Sequence, residues 1–226
     1  MKRLIAGFAL ALLSATSSAS ANEPKTNWTG CYVGAAVGMA STINNASIDV
    51  VGGPSILGID GLGSSGASFG GQVGCDMLVS KQFVLGAWGS YDWHNQEWTI
   101  SSGLIGGALA TMSVDSVWAI GGRAGVLVND NVLIYGLVGY TQMETSGVRV
   151  PLLAINLSTS DFRGMVFGGG MEMALGNGLF LTGEYRYSRF DSEAAAIIPN
   201  VINLNMEPDM HSVSARLSYR FGMPGQ

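Results

Sequence analysis

"HSVSARLSYRF", residues His211–Phe221, is the stretch on which the reading of this chain turns. Val213, Ala215, Leu217, Tyr219 and Phe221 fall on one face; Ser212, Ser214, Arg216, Ser218 and Arg220 fall on the other. Such period-2 alternation marks a strand whose two faces meet different surroundings. If the apolar face packs into a soluble core, the arginines meet water. If it meets lipid, the arginines point into the lumen of a membrane barrel.

The first residues bear on the compartment. Lys2 and Arg3 precede an apolar run from Leu4 to Leu13, and small residues then end in Ala19-Ser20-Ala21. This is the pattern of a cleaved secretory signal, and the run is shorter than the roughly 20 residues of a spanning helix. Residues 1–21 are therefore expected to be a signal peptide and residues 22–226 one barrel domain. Without Lys2 and Arg3, nine of the eleven Lys and Arg remain against 16 Asp and Glu, a balance near −7. No basic tract is left to recruit nucleic acid. Charged residues make up 12% of the chain, about half the usual share, and its 33 glycines are about twice the usual share. An exported, apolar, glycine-rich chain with no uninterrupted apolar 20-mer in its mature part fits a transmembrane β-barrel. The competing composition is a periplasmic β-sandwich or lipocalin-like barrel.

Punctuation favours the membrane. Ser80-Lys81-Gln82, Asn129-Asp130-Asn131 and Gly176-Asn177-Gly178 read as tight turns, and Asn177-Gly178 suits a type I′ hairpin. They join Ser68–Val79 to Phe83–Asn95, Ser116–Val128 to Val132–Thr141, and Phe162–Leu175 to Leu179–Phe190. Tyr32–Ala40 and Ser212–Phe221 complete eight predicted strands. The connections 41–67, 96–115, 142–161 and 191–211 are long. Short turns alternating with long loops are the asymmetry of outer-membrane barrels. The expected fold is all-β: an eight-stranded antiparallel transmembrane barrel with short periplasmic turns and long extracellular loops.

Face by face, glycines keep company with charges. Glu172 shares a parity with Gly164, Gly168 and Gly170, and Arg123 with Gly121 and Gly125, while Met171, Met173, Trp118 and Ile120 take the opposite faces. In a narrow eight-stranded lumen, small residues leave room for a few long charged side chains. The arginines of the last strand are thus expected to point inward.

Four motifs in order add a resemblance. Trp28-Thr29-Gly30-Cys31-Tyr32-Val33-Gly34, Gly70-Gly71-Gln72-Val73-Gly74, Glu184-Tyr185-Arg186-Tyr187 and Leu217-Ser218-Tyr219-Arg220-Phe221 resemble the small porin-like outer-membrane proteins of alphaproteobacteria, within the broader OmpA-like and opacity-protein barrels. The resemblance covers Trp28 to Phe221. It implies an integral outer-membrane barrel with surface-exposed loops. It also implies insertion by the barrel assembly machinery, which in that family reads the aromatic end of the last strand, here Phe221. Two departures stand out. Gly222–Gln226 follow Phe221, and Cys31 and Cys75 stand where the family usually has aromatics. Both cysteines fall near the periplasmic rim of neighbouring antiparallel strands. In an oxidising compartment they are either a disulfide stapling the first hairpin or two separate thiols.

The candidate lumen charges are Asp76, Asp92, Arg123, Glu172, Glu184, Arg186, Arg216 and Arg220. They could line an ion path. A salt-bridged plug is preferred, because side chains fill so narrow a barrel and unpaired buried charges are costly. Catalysis is not expected. Asp92 and His94 share a face as rim polar residues, His211 and Ser212 lie on opposite faces, and two histidines leave little material for a metal site. No cofactor is expected. Trp88 shares the inward parity of Gly86 and Ser90, while most of the other aromatics, Trp28, Tyr32 and Tyr135 among them, read as interfacial girdles.

The predicted loops are unusual in being apolar, as in "VVGGPSILGIDGLG" and "AAAIIPNVINLNM", with mostly acidic charges. They either cap the barrel or form a site for an apolar ligand, heme, lipid or a neighbouring protein. The expected role is structural and surface-interactive in the cell envelope, in contact with outer-membrane lipids and with no nucleic-acid partner. The alternative is a small-molecule binder or a narrow porin-like pore.

Overall fold

In a computed structural model, the backbone is described for residues 26–50, 55–102, 107–150, 155–156, 161–191, 193–198 and 202–221. Side chains are described for a narrower set, 26–43, 63–96, 113–146, 161–191 and 208–221. The expected signal peptide and the side chains of the apolar loop segments lie outside these residues.

The strands are β1 (Gly30–Val50), β2 (Ser55–Leu78), β3 (Phe83–Ser102), β4 (Gly107–Asn129), β5 (Val132–Val150), β6 (Ile155–Asn156), β7 (Asp161–Gly176), β8 (Leu179–Phe190), β9 (Glu193–Ile198) and β10 (Ile202–Phe221). The wall runs β1-β2-β3-β4-β5-β7-β8-β10 and closes by pairing of β10 with β1. Every neighbouring pair in it is antiparallel, so the barrel has eight wall strands. The closing seam runs from Cys31 opposite Phe221 to Val50 opposite Ile202. β6 and β9 are short additions on β5 and β10.

The three tight turns lie at one end. Asn177 has φ 54° and Gly178 φ 79°, the left-handed pair that a type I′ hairpin requires. At the other end the strands continue further than the sequence pattern suggested. β1 runs to Val50 rather than Ala40, and β2 starts at Ser55 rather than Ser68. Much of each expected long connection is therefore wall, hydrogen-bonded strand to strand.

The wall separates two environments by parity. Val37, Met39, Phe69, Val73 and Val213 project outward and are more than half exposed, whereas Tyr32, Gln72, Asp76, Arg123 and Glu172 are buried inside. Apolar side chains outside and charges within suit a barrel in lipid. The inner face is not exclusively glycine and charge, however. Leu133, Leu137, Met143, Phe162, Val166 and Phe190 also point inward and are buried. Trp28, Tyr32 and Tyr135, expected in the interfacial girdles, are buried in the lumen as well.

Candidate functional site: a closed, charge-neutral lumen

Alternation delivers four charged side chains to one level near the short-turn end, each from a different strand: Asp76 from β2, Arg123 from β4, Glu172 from β7 and Arg220 from β10. Glycines make the room. A Cβ on Gly86 would lie 2.0 Å from Asp76 Oδ1.

The four form a ring of alternating charge. Arg123 Nε donates to Asp76 Oδ1 at 2.8 Å, and its Nη2 donates to Asp76 Oδ2. Arg123 Nη1 donates to Glu172 Oε2 at 3.0 Å. Arg220 Nη2 closes the ring, at 2.7 Å to Asp76 Oδ2 and 2.6 Å to Glu172 Oε1. Side-chain exposure across all four is 3% or less. Aromatic faces complete the level: Tyr32 and Tyr135 lie 4.7 and 4.9 Å from the Arg123 guanidinium, and Phe180 lies 4.5 Å from that of Arg220.

A second level sits further in. Glu184 accepts from Arg186 Nε at 2.6 Å, Arg216 Nη2 at 3.2 Å and Tyr135 Oη at 2.5 Å. Arg186 then reaches across the lumen, donating to Ser90 Oγ and Gln72 Oε1, both at 2.8 Å. Its guanidinium lies 4.5 Å from the centre of the Trp88 ring, and Asp92 stands 3.6 Å from its Nη1. Gln72 Nε2 donates to Tyr32 Oη at 2.9 Å, tying the two levels together. Each level holds two cations and two carboxylates, so neither leaves net charge in the low-dielectric interior.

Beyond the second level is a cavity of about 30 Å³ lined by Asp92, His94, Thr141, Arg186, Ser188 and Arg216 among others. That is room for one or two water molecules, and the lining is polar enough to hold them. Above it, Ala40, Val114, Val117, Met143, Phe162, Phe190 and Met210 form an apolar cluster inside the outer part of the barrel.

All eight lumen charges named from the sequence therefore face inward, and the structure brings them together in two connected groups. Asp92 and His94 share the lumen face. His211 stands on the outer surface, with Nδ1 2.7 Å from Tyr185 Oη. The two histidines are thus on opposite sides of the wall and cannot act together, and among the described residues no group of His, Cys, Asp and Glu could hold a metal ion. Cys31 and Cys75 pair across β1 and β2 and are joined by a disulfide on the outward face. Sequence reasoning missed Tyr32, Gln72 and Tyr135 as network members. Their parity with the inward glycines Gly34, Gly74 and Gly139 was the available signal.

A closed antiparallel barrel, apolar outside and ion-paired within, defines an integral membrane barrel. The model of the outer membrane protein beta-barrel domain matches residues 8–221, and the chain belongs to that family. It is an integral protein of the outer membrane. Among solved structures, the outer membrane protein OprG of Pseudomonas aeruginosa has a TM-score of 0.52 at 13% identity, covering 86% of this chain and 97% of its own. AlkL, solved in lipid bilayers, gives 0.48 at 15% identity, covering 94% and 98%. Neisserial surface protein A gives 0.46 at 15% identity, covering 85% and 98%. At such identities the likeness speaks for the fold alone, and it rests on OprG. No curated protein matches the sequence.

Proposed function

We propose that this barrel serves the Gram-negative envelope as a structural and surface-interacting element, and that its lumen is a plug rather than a path. The observation that supports this reading is the ring of Asp76, Arg123, Glu172 and Arg220, whose members come from four strands around the circumference. An ion crossing that level would have to break pairs that compensate each other's desolvation, which costs several kcal/mol. Catalysis has little to build on here, because the Asp92 carboxylate beside His94 is engaged by Arg186. Insertion would proceed through the barrel assembly machinery, with Phe221 outward and half exposed at the end of β10 as its aromatic signal.

Planar-bilayer recording of the refolded protein tests the proposal. Membranes that take up the protein, shown by its heat-modifiable mobility on gels, should carry no large and stable conductance. A steady open level comparable to that of a diffusion pore would overturn the plug.

A further inference from the structure

Seven Lys and Arg side chains are described, and their placement is uneven. Arg123, Arg186, Arg216 and Arg220 are spent inside the lumen. Lys81 sits in a short turn. The remaining two, Arg163 and Arg189, face outward from adjacent strands and are exposed.

Their height on the wall is informative. On β7 the outward positions from the short-turn end run Leu175, Met173, Met171, Gly169, Phe167, Met165 and then Arg163. On β8 they run Leu179, Leu181, Gly183, Tyr185, Tyr187 and then Arg189. Both arginines therefore occupy the first position beyond an apolar band, at the end away from the short turns. The band ends in Tyr185, Tyr187 and His211, whose rings lie together: Tyr187 and His211 are 5.0 Å apart between centroids. Aromatic girdles of this kind mark the membrane–water boundary. Met165 pairs with Arg189, which makes Arg163 and Arg189 diagonal neighbours, with Cβ atoms on the order of 7–8 Å apart.

Neither guanidinium has an ion pair or side-chain hydrogen bond among the described residues. Three carboxylates stand nearby. Asp209, opposite Arg189, accepts from Tyr187 Oη at 3.0 Å. Asp161 stands one outward position further from the band on β7, and Asp191, just past the end of β8, lies opposite Arg163, to whose carbonyl oxygen its backbone N–H donates at 2.7 Å. Two planar, permanently charged forks on diagonal positions at a lipid boundary suit one chemistry above others, the bidentate recognition of phosphate oxygens.

We propose that Arg163 and Arg189 together bind the headgroup phosphate of an outer-leaflet lipid. The site requires only that the barrel sits in the outer membrane, and it stands whether or not the lumen conducts.

The test uses the full mature barrel refolded in phosphatidylcholine nanodiscs doped with phosphatidic acid, with retained lipid counted by native mass spectrometry. Wild type should retain phosphatidic acid over phosphatidylcholine, and Arg163→Gln/Arg189→Gln should lose that preference by roughly thirtyfold. Lys81→Gln, which removes one positive charge at the opposite end, should leave it unchanged. Heat-modifiable mobility confirms that each variant is a barrel before it is compared. Equal retention by wild type and the double variant would overturn the site, as would an equal loss in Lys81→Gln. Displacement of the lipid by millimolar inorganic phosphate would overturn the lipid assignment in favour of a free anion. A gain of retention in Asp191→Asn would show that carboxylate competing for the arginines and would support the site.

Discussion

Arg123 grips Asp76 through two parallel donors, Nε to Oδ1 at 2.8 Å and Nη2 to Oδ2, although 47 residues separate them in sequence. The pair is one edge of a ring whose opposite edge is Arg220 with Glu172, 2.6 Å apart. This arrangement makes the consequence of a substitution depend on what is removed with it.

Arg123→Met leaves two buried carboxylates sharing Arg220 and should lower stability by about 3–5 kcal/mol. Removing Asp76 as well, in Asp76→Leu/Arg123→Met, leaves the neutral pair of Arg220 and Glu172. The double variant should therefore be more stable than the sum of the two single losses predicts, a coupling readable as a double-mutant cycle of urea midpoints in lipid vesicles. Additive losses would mean that the ring does not behave as a unit.

Arg186 and the ring act in series. Arg186→Ala should clear the second level, since it alone connects Glu184 to Ser90 and Gln72. Conductance should nevertheless stay low, because the lower ring still closes the lumen. Combining Arg186→Ala with Arg123→Ala and Asp76→Ala should raise it, and bilayer recordings of the two variants side by side check the order of effects.

Glycines should divide by the face they occupy. A Cβ on Gly121 would lie 2.1 Å from the Val138 carbonyl oxygen and 2.7 Å from Gly139 Cα, both backbone atoms, whereas a Cβ on Gly183 meets nothing within 4 Å. Gly121→Ala should cost about 1–3 kcal/mol through forced separation of β4 and β5. Gly183→Ala should stay within about 0.5 kcal/mol of wild type. Urea midpoints measured under one set of conditions decide between them.

The disulfide between Cys31 and Cys75 closes a loop with a sequence separation of 44. On chain-entropy grounds, Cys31→Ser/Cys75→Ser should lose about 4 kcal/mol against the oxidised protein. Mass analysis of the mature protein without reductant checks the premise, since two alkylatable thiols would remove it.

Much of this architecture is legible in the residues, for a physical reason. Glycine beside charge on one parity, as with Gly170 and Glu172, has few explanations other than a crowded polar interior, so the lumen face of β7 could be read directly. Phe162, Phe190 and Met143 could not be read the same way, because an apolar side chain in the lumen has the same composition as one in lipid. Parity also fails at irregularities. The register shift between Val114 and Ser116 leaves Ser116 and Val117 both buried in succession. The strand extensions were hidden too. Asn44 and Asn45 are turn-type residues, yet β1 there is held by pairing with β10, a tertiary effect that local propensity does not contain.

Arg220 Nη1 also donates to the Trp28 carbonyl at 2.6 Å, a contact that joins residues 192 apart. It lies just beneath the seam, so the start of the wall is latched by a side chain from its last strand. β10 must be made before this clasp can fasten, and until then both margins of the nascent ribbon offer unpaired amides to any passing strand. Safe passage across the periplasm is therefore a race between escort and self-association, decided by how soon β1 and β10 meet.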